Sequence, residues 1–278
     1  MIAVPAAIIL YWTIKPKLVQ KRRTRIRALP HPDGLEEVLS RNVGLYPLLP
    51  PELKVELRGH VTVFLDEKRF RGVAGQEITP EVMFTIAGAA CILLLNREPS
   101  YFPGFSSILV YPVTYETTQV NYDGLVETHK RSRRAGESWH RGPIVLSWGD
   151  VQYGASNAED GYNVVLHEFA HKLDEENSGT NGLPILRELG HYRDWAEVLG
   201  REYELLEGRV ARRKNKVLDG YGLTSPAEFF AVATESFFEK APAMRRKLPD
   251  LYEQLKRYYA VDPANWSEDH VSQDADRA

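Results

Sequence analysis

The apolar residues of this chain fall into runs of different period, and each period predicts an element. Ile2 to Ile14 is almost wholly apolar, with Tyr11 and Trp12 near its end. Lys15, Lys17, Lys21, Arg22, Arg23, Arg25 and Arg27 follow with no acid among them. Pro30, Pro32 and Gly34 then punctuate the chain and mark the start of a domain. Helical spacing of apolar residues predicts helices over 35–45 and 51–67. Thr79 followed by Pro80 is a helix-start signal, an N-cap and then a proline at the first helical position. The helix it opens runs to about Leu95. Ile108 to Tyr111 and Ile144 to Trp148 read as strands, the first closed by Pro112 and the second preceded by Gly142-Pro143. The polar stretch between them, with Arg131, Arg133 and Arg134, reads as a loop with a solvated face. Beyond Gly149 the pattern is helical to about residue 260. The organisation expected is an apolar and basic segment over 1–29, one domain over 30–263, and a polar, disordered tail over 264–278.

One helix carries chemistry. Val165, Phe169 and Leu173 recur at i, i+4 and i+8 and define a buried stripe. His167 and His171 are also four apart, on a different face, so their imidazoles project side by side and can share one tetrahedral metal. Glu168 follows His167 directly, and its carboxylate reaches toward a water on that metal without ligating it. A zinc held there would lower the pKa of its water to about 7, and a carboxylate could take the proton as the water attacks a carbonyl. Asn157, with Asp160 three positions later, reads as the start of this helix.

Catalytic zinc takes three protein ligands as a rule. The metzincin pattern requires glycine at position 174 and histidine at position 177, whereas this chain has Asp174 and Asn177, which excludes that subclass. A glutamate from a later helix is the other common solution. Glu188, Glu197, Glu228 and Glu235 are available, and spacing does not choose among them. Ser225-Pro226 opens a helix in which Glu228 holds the third position, where it could equally be the acid of a capping box with Ser225. Glu235 shares its face at i+7, as an alternative ligand or as a partner that orients one. Asp174, three residues past His171, either orients a histidine through its far ring nitrogen or caps the helix end.

Composition narrows the surroundings of this site. The 278 residues are 43% hydrophobic and 26% charged, ordinary for a globular protein, and the net charge of -3 gives no reason to expect a nucleic-acid partner. A single cysteine, Cys91, sits in an apolar run, which excludes an intramolecular disulfide framework and suits a reducing compartment. The apolar stretch at the N-terminus is short of the roughly 20 residues a spanning helix needs. Extended to Val19 with Lys15 and Lys17 snorkelling, it comes near the lower limit. Two readings therefore stand: membrane contact through residues 2–27, holding the domain at the cytoplasmic face, or an ordinary frayed or packed helix.

Two blocks, His167-Glu168-Phe169-Ala170-His171-Lys172-Leu173-Asp174 and Tyr221 through Phe238, together resemble the Mlc titration factor A family of zinc peptidases. Arg141 through Trp148 and Leu109-Val110-Tyr111-Pro112 add to the likeness, which spans about residues 35 to 263. The resemblance implies one Zn2+ per chain, held by His167, His171 and Glu228, with Glu168 as general base. It also implies that Tyr221, one of fourteen tyrosines and not selected by its spacing, donates to the developing oxyanion. The implied core is similar to that of the anthrax lethal factor peptidase domain, a gluzincin arrangement.

The expected fold is therefore α+β, mainly helical, with a small mixed sheet beside the histidine helix. Its edge strand, Ile144, Val145 and Leu146, would line the cleft and pair with an extended peptide backbone. The resemblance implies aminopeptidase action on a peptide or protein substrate. The rival expectation is a regulatory binding protein that sequesters a repressor of the Mlc type, with catalysis secondary.

Overall fold

The computed structural model describes residues 3–113, 115–123, 126–134, 136–138, 142–177, 179–212 and 217–266. The fold is mainly helical α+β. Helix α1 (Ala3–Arg27) leads into α2 (Leu35–Asn42), the short α3 (Leu45–Leu48) and α4 (Pro51–Glu67). Strand β1 (Arg69–Gly72) precedes α5 (Pro80–Ile92), whose Thr79 hydroxyl accepts from the Val82 N–H as a proline-led helix start requires. Strands β2 (Ser107–Tyr111), β3 (Tyr115–Asp123), β4 (Val126–Arg134), β5 (Gly136–Ser138) and β6 (Ile144–Ser147) follow. The chain then runs through α6 (Trp148–Ser156), α7 (Val164–Asp174), α8 (Leu189–Ala211), α9 (Pro226–Glu239), α10 (Ala241–Lys247) and α11 (Pro249–Tyr259).

The main sheet is mixed, in the order β1-β2-β6-β5: the first three strands are parallel and β5 is antiparallel to β6. Burial alternates along β2, where Ile108 and Val110 face the core. In β6 all four residues are buried, as befits a strand flanked on both sides. This corrects the expectation of an edge strand at Ile144, Val145 and Leu146. Their backbone is already paired with β2 and, through Gly136, Glu137 and Ser138, with β5. The edge on the α7 side is β5, and Trp148 opens α6 instead of ending the strand.

The polar stretch expected as a loop forms an antiparallel hairpin of β3 and β4, registered from Tyr115↔Arg134 to Asp123↔Val126. Alternation there is of polar residues, so no apolar period betrays it.

Among the described residues no helix is long and apolar enough to cross a membrane. Seven lysines and arginines fall within the last thirteen residues of α1, and its end is bound to the domain. Arg22 pairs with Asp66, while Arg23 grips Glu67 through two nitrogens at 2.8 and 2.9 Å and donates to the Ser100 carbonyl at 2.9 Å. The expected membrane contact through residues 2–27 is therefore not shown by the described residues. Of the tail, Pro263–Asn265 form a 3-10 turn and Trp266 packs toward Phe238, while residues 267–278 lie outside the described residues.

A single core joins these elements. Its centre beneath α7 is aromatic: Phe169 meets Phe102, Phe64 and Phe105 at ring centroid separations of 4.8, 5.6 and 5.7 Å. The buried Lys68 ammonium donates to the carbonyls of Phe102 and Phe105 at 2.7 and 2.9 Å, which fixes the loop that presents these rings.

Candidate metal centre

Helix α7 starts at Asn163, whose side-chain oxygen accepts from the N–H groups of Val165 and Leu166. Asn157 was the expected start. Its side chain instead makes a turn with Glu159 and Asp160, six residues short of the helix. The signal that finds Asn163 is its place directly before the apolar run Val164-Val165-Leu166. From that start the periodicity does what it predicts: Val165, Phe169 and Leu173 are buried in the core, and His167 and His171 emerge together on another face, their rings 4.9 Å apart.

Helix α9 crosses this face. Ser225 caps it, its hydroxyl accepting from the Glu228 N–H, so the backbone half of the capping box forms. The Glu228 carboxylate turns to the histidines instead of back to the cap. Its Oε2 lies 2.9 Å from His167 Nε2 and 3.4 Å from His171 Nε2. One ligand atom from each of the three residues lies within 4.8 Å of the others. Tetrahedral bonds of about 2.0–2.1 Å place ligand atoms about 3.4 Å apart, so two imidazole nitrogens and one carboxylate oxygen fit a catalytic zinc and leave a fourth position open. Burial would raise the Glu228 carboxyl, but the hydrogen bonds of both histidines hold it far below the usual range.

Glu235, two turns further along α9, sits behind His167. Its Oε1 lies 2.7 Å from His167 Nδ1, and its Oε2 accepts from the Asn163 N–H at 2.6 Å. The carboxylate therefore fixes the ring orientation and binds the start of α7 with its second oxygen. Asn163 also donates through Nδ2 to Glu239 at 2.9 Å. The bonds that Asn163 makes to Glu235 and Glu239 carry no mark in the sequence, because they cross the interface of α7 and α9. Burial opposes a charge on His167, yet Glu235 and Glu228 together raise its pKa well above the ordinary value.

Glu168 is 5% exposed, and burial pushes its carboxyl above the ordinary range against the pull of His167 and His171. Tyr221 stands at the rim, 55% exposed, its ring 6.0 Å from that of His167. A 3-10 turn over Gly220–Leu223 holds it, with Asp219 accepting from the Tyr221 N–H and the Thr224 hydroxyl donating to the Tyr221 carbonyl, each at 2.7 Å. Asp174 is fully buried, and one of its oxygens accepts from the Gly182 N–H at 2.7 Å. Neither its other oxygen nor His171 Nδ1 has a hydrogen-bond partner among the described residues. Of the remaining candidates, Glu188 pairs with Arg257 on the far end of α8. His191, buried against Trp195, lies on α8 outside the cluster.

Two histidines one helical turn apart, closed by a carboxylate from a neighbouring helix, make a candidate metal site of the kind a metallopeptidase uses. Comparison of the whole chain agrees with the site. Residues 18–260 match the glucose-regulated metallo-peptidase M90 family, and the chain belongs to it. It is 35% identical over 250 residues to an uncharacterized protein of Synechocystis sp., covering 89% of this chain and 91% of that one. It is 31% identical over 224 residues to Mlc titration factor A of Yersinia pestis and of Yersinia pseudotuberculosis, covering 78% of this chain and 82% of those proteins. The likeness seen in the two motif blocks therefore extends over most of the chain.

Proposed function

We propose that the protein is a zinc peptidase in which His167, His171 and Glu228 hold the metal, Glu168 is the general base and Tyr221 assists at the oxyanion. The convergence of three donor atoms within 4.8 Å carries this reading. Zinc, when bound, supplies Lewis acidity to the scissile carbonyl and acidity to the attacking water. Glu168 takes the proton of that water and passes it to the amine nitrogen that leaves. Its burial supports the role, because a carboxyl raised above its ordinary range is a stronger base nearer neutral pH. Tyr221 donates its phenolic hydrogen to the oxygen on which charge develops, and its exposed place at the rim leaves it within reach of substrate. Glu235 accepts from His167 Nδ1, which leaves the Nε2 lone pair for the metal.

The expected substrate is a peptide with a free N-terminus, a preference that comes from the family resemblance. The test is zinc analysis of purified protein with peptidase assays of wild type and Glu168→Ala, on peptides with free and with acetylated N-termini. Glu168→Ala keeps zinc and loses about 10²–10⁴-fold in turnover, the span of a general base. Full activity in this variant overturns the mechanism, and equal cleavage of acetylated peptides overturns aminopeptidase action.

A second reading follows from the name of the Yersinia relatives, Mlc titration factor A: binding of a repressor protein, with catalysis secondary. A DNA-binding protein retained equally by wild type and Glu168→Ala in a pulldown favours it.

A further inference from the structure

We propose that Asp174 is a positioning residue for Glu228: it ties the end of the histidine helix to the loop that sets the first turn of α9. This rests on the reading of His167, His171 and Glu228 as the metal centre. Asp174 is the last residue of α7, and its buried carboxylate reaches out of the helix to the Gly182 N–H at 2.7 Å. Gly182 is held from its other side, where its carbonyl accepts from the buried Trp195 indole at 3.0 Å.

Gly182 in turn lies against the start of α9. Its φ of +76° is one that side chains rarely adopt, and a Cβ there would stand 2.4 Å from the Pro226 carbonyl oxygen. Pro226 is the first residue of α9 and Glu228 the third. Backbone of the loop and backbone of the helix start are thus in direct contact, with no side chain between them to absorb a displacement. Asp174 sits three residues from His171, so one carboxylate refers the Glu228 turn to the frame of the two histidines. Glu235 does the same two turns further along, from α9 back to Asn163. The two helices are pinned at both ends of α7, and the metal-binding atoms lie between the pins.

The test is a double-mutant cycle on zinc affinity, read by chelator competition, with Asp174→Ala and Gly182→Ala each made in wild type and in Glu228→Ala. Acting through Glu228, each substitution weakens zinc about 10–100-fold in wild type, the span of groups that support a ligand. In the Glu228→Ala background the same substitutions change zinc affinity by less than about 2-fold, because the ligand they position is gone. The absorption spectrum of the cobalt-loaded protein is expected to shift in Asp174→Ala in the direction seen for Glu228→Ala. Equal weakening in both backgrounds, or none in either, overturns the assignment. If removal of the Asp174 carboxylate unfolds the chain, Gly182→Ala, which leaves α7 untouched, carries the cycle alone. A wild type that binds no zinc, or a Glu228→Ala that binds it normally, overturns the metal centre itself, an outcome separate from an additive cycle.

Discussion

Helices α7 and α9 meet face to face, each with a buried apolar stripe in the core, yet they bring their functional groups by different means. On α7 the two histidines are one turn apart, so their spacing is fixed by the helix and survives any movement of it as a body. On α9 Glu228 and Glu235 are also on one face, but what matters is where that face lies relative to α7. Glu228 therefore depends on its cap Ser225, on Gly182 packed against Pro226, and on the Glu235 bonds to His167 and Asn163. Local geometry makes a pair of ligands robust, whereas a ligand delivered across an interface needs that interface held in register.

The contrast is sharpest if Glu228→Ala and Glu235→Gln are compared on the same footing. Loss of Glu228 is expected to weaken zinc by more than about 100-fold and to abolish most activity. Glu235→Gln, which keeps a side-chain oxygen near His167 but removes its charge, is expected to cost about 10–100-fold. Chelator competition measures both, and a Glu235 variant as damaged as the Glu228 variant would make Glu235 the ligand instead. A purely structural break gives the opposite pattern. Phe169→Ala, which empties the centre of the aromatic cluster, is expected to lower unfolding stability by about 3–5 kcal/mol in urea titration. Zinc affinity per folded molecule should change little, since the histidines keep their turn.

A pH dependence is expected at the far side of the same interface. Burial pushes the Glu239 carboxyl up to about 9, with Glu235 adding to the rise and the Asn163 hydrogen bond opposing it. With the folded value above the unfolded one, the stabilising contribution of the protonated form is complete below about pH 4.5. It is lost as pH rises toward 9, at up to about 1.4 kcal/mol per unit. Glu239→Gln, which mimics the neutral acid, should flatten this part of the urea midpoint against pH between 5 and 9. An unchanged slope would show that Glu239 is charged in the folded protein.

Much of the scaffold was legible where one local rule sufficed. The helix over Pro51–Glu67, the Thr79 cap with Pro80 behind it, and strands at Ile108 and Ile144 all appear where their patterns put them. The misses share a cause. The hairpin of β3 and β4 has only Val120 and Val126 as aliphatic residues, too few to show the apolar period that marks a strand. The pairing of Ile144 to Leu146 on both sides was hidden because a run of four buried residues says nothing about which strands flank it. The N-terminal helix could be read for length and charge but not for the ion pairs of Arg22 and Arg23 with α4.

The site divides along the same line. Local spacing places His167, Glu168 and His171 on one helix, with two imidazoles on one face and a buried stripe on another. A spacing of four residues has a single outcome once the helix forms. That Glu228 meets both histidines while Glu235 stands behind one of them follows from the packing of α9 on α7. The same packing has Asn163 join the two helices and Asp174 turn to Gly182. Those choices depend on the rotation and offset of α7 against α9, set by core packing and by hydrogen bonds between residues up to 76 positions apart, and no local spacing encodes them.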